Sequence, residues 1–309
     1  MDNNKKVSLE FKKIELCARD KIKEIFYRQD YRLCDFTVGG LYMWTDYFDY
    51  SYCIRGDTLF IAGNDVTQAD EKAFALPVGD APLEASVGLM LEYAKEHCGG
   101  KLNLNCIPED KIDFFAENYN AEIIEVVDWE DYLYSAKSLA TLTGHIYNKK
   151  RNRVNLFSRN YENYVFESIT PQNIDGVLSF LDKYSENKED ETALAVYENR
   201  QTNAIMRDFF SWGFEGAALY VDGKVIGFTA AEIIGDTMFV HIEKADSSFE
   251  GAYQTINYLF AKGMLEKYNI EYINREEDVG DSGLRQARLS YNPVKILKKF
   301  KVIIRNEKQ

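Results

Sequence analysis

Hydrophobic and polar positions alternate in short runs through the second half of the chain and then switch to helical spacing. Residues 216–221 are apolar, rich in strand formers, and end at Asp222-Gly223, a pair suited to a tight hairpin turn. Residues 224–234 continue the pattern to Gly235-Asp236, and residues 237–243 make a third run. Behind them Ser247-Ser-Phe-Glu250 has the spacing of a capping box, with Ser247 expected to cover helix amides and Glu250 to reach back. Ala252, Ile256, Leu259, Phe260 and Met264 then fall on one stripe of a helix. Three antiparallel strands feeding a helix predict an anion site at the helix start, where terminal amides attract phosphates.

The flanking segments extend this order. Residues 164–169 read as a strand, Thr170-Pro171 opens a helix carrying Ile174, Val177, Leu178 and Leu181, and a second helix is expected near 199–212. After the long helix come a strand at 271–274, a helix at 283–291 and a closing strand at 299–304. The first half repeats the theme without repeating the sequence. Helical signals at 17–31 precede strands at 51–55, 58–62 and 72–78, and a helix at 82–97 is stopped by Gly99-Gly100. A strand at 102–107, a helix at 108–119 and a strand at 121–127 follow. The expectation is an α/β (α+β) chain with two similar halves, 1–137 and 161–309, joined by a basic helical linker, 138–160. Each half should hold a mixed, mostly antiparallel sheet flanked by helices.

Composition narrows the classes. With 309 residues the chain can bury a large core. No apolar run approaches membrane-spanning length, and none follows the first six residues, so neither an integral membrane segment nor a signal peptide is expected. Cys17, Cys34, Cys53, Cys98 and Cys106 are scattered without CxxC spacing and the 3 histidines are far apart, so no metal is expected and reduced cysteines point to the cytoplasm. A net charge of −13 argues against DNA binding, which needs a basic face. The exception is local: between Tyr132 and Tyr161 there is no carboxylate, while Lys137, Lys149, Lys150, Arg151, Arg153 and Arg159 are all basic. That window is either a solvated surface or an element facing phosphates of a cofactor or a tRNA end.

The meander and helix of the second half resemble the GNAT acyltransferase fold. The resemblance implies coenzyme A or acyl-CoA, with pantetheine beside Phe239, Val240, His241, Ile242 and Glu243. It places the pyrophosphate at Ser248, Phe249, Gly251, Ala252 and Tyr253. Gly251 fits the first glycine of the Gln/Arg-x-x-Gly-x-Gly/Ala loop, but Ser248 replaces the basic residue, Tyr253 replaces the second small one, and Glu250 adds an anion. Further segments, including Asp35-Phe-Thr-Val-Gly-Gly-Leu-Tyr-Met-Trp44, Lys150-Arg-Asn-Arg-Val-Asn155 and Asn274-Arg-Glu-Glu-Asp-Val-Gly-Asp-Ser-Gly-Leu-Arg285, extend the likeness over both halves. They resemble a bacterial family related to the C-terminal domain of phosphatidylglycerol lysyltransferases. This implies tandem GNAT-like domains and, as an alternative donor, aminoacyl-tRNA.

Acyl transfer to an amine needs a base for the ammonium and an acid for the leaving group. Glu243, at a strand end, is the base candidate, and Tyr291 the acid candidate. Strand alternation sets Phe239, His241 and Glu243 on one face. Asn274 stands at the mouth of the opening expected between the fourth and fifth strands, where an amide can bond pantetheine. Glu276, Glu277 and Asp278 offer carboxylates to a cationic acceptor, a small-molecule or peptide amine, or are solvated loop charge. Arg285 and Arg288 share a helix face and suit a phosphate or carboxylate. Lys150, Arg151 and Arg153 suit phosphates. The leading expectation is a GNAT-type N-acyltransferase using acyl-CoA. The alternatives are an aminoacyl-tRNA-dependent aminoacyltransferase and a non-catalytic acyl-CoA-binding module.

Overall fold

A computed structural model describes residues 8–68, 70–186 and 192–305; the N-terminal residues read for a signal sequence lie outside them. Contacts divide the chain into two units, each assembled from separate stretches. The first comprises Met1–Tyr31, Trp44–Glu130 and Leu297–Gln309, and the second Arg32–Met43 and Asp131–Ile296.

The first unit builds its sheet from β1 (Lys12–Lys13), β2 (Ser51–Arg55), β3 (Thr58–Asn64), β4 (Lys72–Phe74), β5 (Val78–Gly79), β6 (Lys101–Pro108) and β7 (Ala121–Glu125). The early helices are α1 (Arg19–Phe26), α2 (Val38–Trp44), α3 (Leu83–His97) and α4 (Ile112–Asn118). All of α2 except its last residue belongs to the second unit. The second unit's sheet contains β8 (Asp131–Ser135), β9 (Val165–Ser168), β10 (Glu215–Val221), β11 (Lys224–Ile234), β12 (Thr237–Ala245), β13 (Tyr272–Asn274) and β14 (Lys295–Leu297), ordered β14-β8-β13-β12-β11-β10-β9. Its helices are α5 (Ala136–Thr141), α6 (Asn148–Asn160), α7 (Ile174–Glu186), α8 (Ala193–Arg207), α9 (Phe209–Trp212), α10 (Ala252–Lys267) and α11 (Ser282–Leu289). The last strand, β15 (Lys299–Arg305), lies in the first unit's sheet between β6 and β7.

The chain is therefore a mixed α/β fold with two mostly antiparallel sheets flanked by helices, the architecture expected above. The sheets do not follow a linear division at 137 and 161. β8, which no periodicity singled out, completes the second sheet against β13, and the closing strand β15 leaves for the first. A central strand must be buried on both faces, and β15 is: Val302, Ile303 and Ile304 are buried, and the ammonium of buried Lys301 is neutralised by Asp65 at 2.6 Å. The basic segment is no spacer either, since α5 and α6 both pack on α10. Among the described residues no helix is long and apolar enough to cross a membrane.

The expected capping box does not form. Helix α10 starts at Ala252, with Gly251 as its N-cap at φ 92 and no side-chain cap. Asp246 takes the Ser248 amide (2.9 Å) and hydroxyl (2.7 Å) in a local turn, so Ser247 and Glu250 lie outside the helix start.

Candidate functional site

The site grows from the place where two parallel strands part. β12 and β13 pair over three rungs, Thr237 with Tyr272, Met238 with Ile273 and Phe239 with Asn274, and no further. Just past the last rung β12 carries a bulge. On β11, Ala231 faces Val240 but the next partner pair is Ala230 with Ile242, leaving His241 as the extra residue. The bulge corrects the expectation that Phe239, His241 and Glu243 share a face. Val240 packs in the core with Met238, Tyr134 and Tyr291, and Glu243 points to that same group, whereas His241 meets Phe214 and Gly39.

On the Glu243 side the carboxylate accepts from Arg275 Nη2 at 2.6 Å, and Arg275 is 7% exposed. The Arg275 guanidinium lies 5.0 Å from the centre of the Tyr291 ring, and Lys150 Nζ lies 3.9 Å from the same ring while donating to Ser290 Oγ at 2.6 Å. Tyr134 stands edge-on to Tyr291 at 6.5 Å and donates to the Arg288 carbonyl at 2.9 Å. Burial shapes the proton affinities here. It pushes the Tyr134 phenol up to about 12 and raises that of Tyr291, so both stay protonated. Burial, reinforced by the Arg275 charge, pulls Lys150 down to about 8 and lowers Arg288 as well. The buried Nε atoms of Arg275 and Arg288 have no hydrogen-bond partner among the described residues.

On the other side His241 is clamped. Its Nδ1 lies 2.7 Å from Glu276 and its Nε2 3.2 Å from Glu232. Burial alone would favour the neutral ring, but the two carboxylates raise its pKa to about 9. Glu232 in turn accepts the first amides of α2, Val38 at 3.3 Å and Gly39 at 2.8 Å. Gly39 has no alternative there, because a Cβ would stand 2.3 Å from the His241 ring. Asn274 Nδ2 donates to Asp131 (2.7 Å) and to the Arg32 carbonyl (2.6 Å), away from any pantetheine-like role. The Cys34 amide donates to Asp131 at 2.7 Å, and its thiol is 3.0 Å from Glu277. Cys34, Asp35 and Asp131 bring three ligand-type atoms within 4.8 Å, but Asp131 is already occupied by the donors just named.

The acidic loop is thereby spent on internal partners: Glu276 on His241, Glu277 on Cys34, and Asp278 on Tyr132 (2.5 Å) and a two-pronged bond from Arg285 (2.8 and 2.7 Å). Burial opposes ionisation of Asp278, yet Arg285 and Tyr132 hold it below the usual carboxylate range. Arg285 and Arg288, expected to act together, are separated by this clamp. Arg151 donates to the carbonyls of Leu142 and Gly144 and to Asn148, and Arg153 pairs with Glu250.

The start of α10 is covered by α6. A Cβ on Gly251 would lie 2.6 Å from the Arg153 carbonyl oxygen and 3.1 Å from Phe157 Cβ. Phe249 packs on Tyr161 at 5.2 Å between ring centres, Ala252 is buried, and the Tyr253 hydroxyl meets that of Tyr184 at 3.4 Å. Ile242 is buried, and its carbonyl accepts from Thr229 at 2.9 Å. Helix α6 thus runs from Gly251, which its Arg153 and Phe157 approach, to Tyr291, which its Lys150 approaches. Beyond the end of β12 a cleft of ≈ 700 Å³ opens, lined by Lys183, Tyr184, Lys224, Ser247 and Tyr253.

Sequence reading did not single out Arg275 or Glu232. The first is the lone cation between Asn274 and the acidic run, and the second the only carboxylate in β11. Both are visible signals once the strand ends are known.

Comparison with known proteins agrees with the fold. A conserved protein of unknown function from Bacteroides thetaiotaomicron is 33% identical and superposes with a TM-score of 0.87, over 96% of this chain and 100% of that one. L-PGS from Bacillus licheniformis shares the fold at 12% identity and a TM-score of 0.62, over 94% of this chain and 92% of that one. An uncharacterized protein of Mycoplasmoides gallisepticum is 26% identical over 198 residues, which is 62% of this chain and only 61% of that relative's length. The family model for the C-terminal region of phosphatidylglycerol lysyltransferase matches residues 29–303, and the chain belongs to that family.

Proposed function

We propose that the second unit carries out aminoacyl transfer from an aminoacyl-tRNA to an amine acceptor. The observation that carries this reading is the seat of α6 against Gly251, where a GNAT enzyme would need open space for a CoA pyrophosphate. Family membership supports the same donor. The chemistry is simple to balance. The acceptor amine attacks the ester carbonyl, its N–C bond forms as the bond to the ribose oxygen breaks, and the amine's proton must leave. Glu243 is positioned to accept that proton, with Arg275 holding its carboxylate at 2.6 Å. Tyr291, kept protonated by burial, can donate to the departing ribose oxygen.

The test is calorimetric titration of the full chain with a mixed aminoacyl-tRNA pool, with coenzyme A and with acetyl-CoA. The expected result is tRNA binding that weakens steeply with salt and no CoA binding at 1 mM or below, an order-of-magnitude ceiling. Micromolar CoA binding without tRNA binding would sink the reading and return the acyl-CoA expectation.

A further inference from the structure

We infer that Arg275, Arg288 and Lys150 form an anion subsite around the Tyr291 ring, beside Glu243, and that its occupant is a phosphodiester next to the acyl-bearing nucleotide. The source of the phosphate rests on the aminoacyl-tRNA reading above; the presence of an anion does not.

Three cationic side chains converge here on two carboxylates, Glu243 and, at Arg288, Glu276. Glu243 engages one nitrogen of Arg275, and the remaining groups that face the cluster, Tyr134, Tyr291 and Ser290, are neutral hydroxyls. Lys150 and Arg275 both lie within about 5 Å of the Tyr291 ring centre, so two like charges are held against one aromatic ring. Arg275 is 7% exposed and its Nε has no acceptor among the described residues, as is true of the buried Nε of Arg288. A buried donor without a partner is costly, and so is an excess of positive charge in one buried cluster. A ligand that relieves both must be anionic and must present several oxygens. A carboxylate offers two coplanar oxygens, whereas a phosphate offers oxygens in diverging directions that suit donors arriving from the residue after β13, from α11 and from α6. Burial first and the Arg275 charge second lower the proton affinities of Lys150 and Arg288, while Glu243 holds that of Arg275 up against its own burial.

The arrangement is distinct from a helix-terminus phosphate site. All three donors are side chains, and the start of α10 contributes nothing to them. Placing a backbone phosphate here also puts the adjoining ribose ester near Glu243 and Tyr291, the two groups assigned to proton transfer.

The experiment uses the full chain in a buffer free of phosphate, at pH 7, with thermal melting and calorimetry as readouts. Inorganic phosphate, sodium acetate and a CpCpA trinucleotide are each titrated at ionic strength matched with sodium chloride. Phosphate is expected to raise the melting temperature saturably beyond the chloride control. Arg288→Gln and Lys150→Met should each weaken phosphate binding at least tenfold, while Arg288→Gln in the absence of phosphate melts no lower than the native chain. A purely structural Arg288 predicts the opposite pair, a lower melting temperature with phosphate binding unchanged, and that result overturns the subsite. The trinucleotide should compete with phosphate in the native chain and lose affinity in Arg288→Gln. If acetate binds as phosphate does and the trinucleotide fails to compete, the phosphodiester assignment is wrong and the occupant is a substrate carboxylate. If phosphate binds at Arg288 but no aminoacyl-tRNA supports transfer, the subsite stands and the donor reading falls.

Discussion

The two sides of β12 past its bulge are built to opposite specifications. On the His241 side each charge has its counterpart: two carboxylates for the imidazolium, two helix amides for Glu232, a thiol for Glu277 and an arginine for Asp278. On the Glu243 side cations outnumber carboxylates and buried guanidinium nitrogens lack acceptors. Fully satisfied polar networks fix geometry. Unsatisfied ones persist where a ligand completes them, because their cost must be met by function. The difference supports the proposed division into a scaffold side and a side for chemistry, although the two begin only one residue apart on the same strand.

The largest effect should come from breaking the satisfied side. Glu232→Ala removes a buried partner of His241 and strands two α2 amides, so unfolding free energy is expected to fall by about 3–5 kcal/mol. Denaturant melting measures this, and a loss under about 1 kcal/mol would show that the clamp is not what holds the segment 32–43. On the other side, Glu243→Gln keeps shape but neutralises the partner of buried Arg275, so stability should fall by about 1–3 kcal/mol, less than in Glu232→Ala, while transfer drops roughly 10²–10⁴-fold. Equal turnover by the variant in a single-turnover assay would remove Glu243 from the mechanism. If instead both variants act mainly on stability, the division between the two sides fails.

A pH series sharpens the same contrast, because the two sides titrate in opposite senses. His241 has its pKa raised from 6.5 to about 9, so its contribution is complete below pH 6.5 and is lost as pH rises through about 9. Lys150 has its pKa lowered from 10.5 to about 8, so the unfolded chain binds the extra proton and stability recovers between pH 8 and 10.5. Chemical denaturation from pH 6 to 10.5 should show a fall of about 1–3 kcal/mol followed by a partial return. Lys150→Met should abolish the return alone, and a monotonic curve in the native chain would contradict the assignment of Lys150.

Much of the fold was legible because its signals are local. Asp222-Gly223 and Gly235-Asp236 punctuate β10, β11 and β12, and the stripe from Ala252 to Met264 marks α10. The strand exchange was not legible, since the pattern of β15 reads the same whichever sheet receives it. The bulge at His241 was hidden for a related reason. Alternation along one strand carries no record of its partner's register, so the period-two rule joined His241 to Glu243. Glu243, Tyr291, Arg288 and Lys150 were all singled out by residue type, and the fold brings them around Arg275. Their shared neighbour Arg275 was passed over because its role depends on where β13 ends. The segment 35–44 offered no chemistry by itself; Gly39 acquires meaning only against the His241 ring.

The smallest effect concerns how the unsatisfied side is held in place. Arg288 rides on α11, a helix of only two turns with no buried residue, whose start is capped by Asp281 accepting from the Leu284 amide at 2.6 Å. The Asp278–Arg285 clamp ties the same helix to the end of β13. A helix this short is not stable without such anchors. Asp281→Ala removes the cap and should lower stability by about 1 kcal/mol. Because the clamp remains, Arg288 should stay beside Arg275 and Glu243, and transfer is expected to fall no more than a few-fold. Hydrogen exchange of the α11 amides, measured beside transfer rate, separates the outcomes. Faster exchange with nearly native turnover means that the clamp, part of the satisfied side, positions the cation. A collapse of turnover matching the loss of Arg288 itself would place that work on the cap, and would weaken the view that one side of β12 holds the other in register.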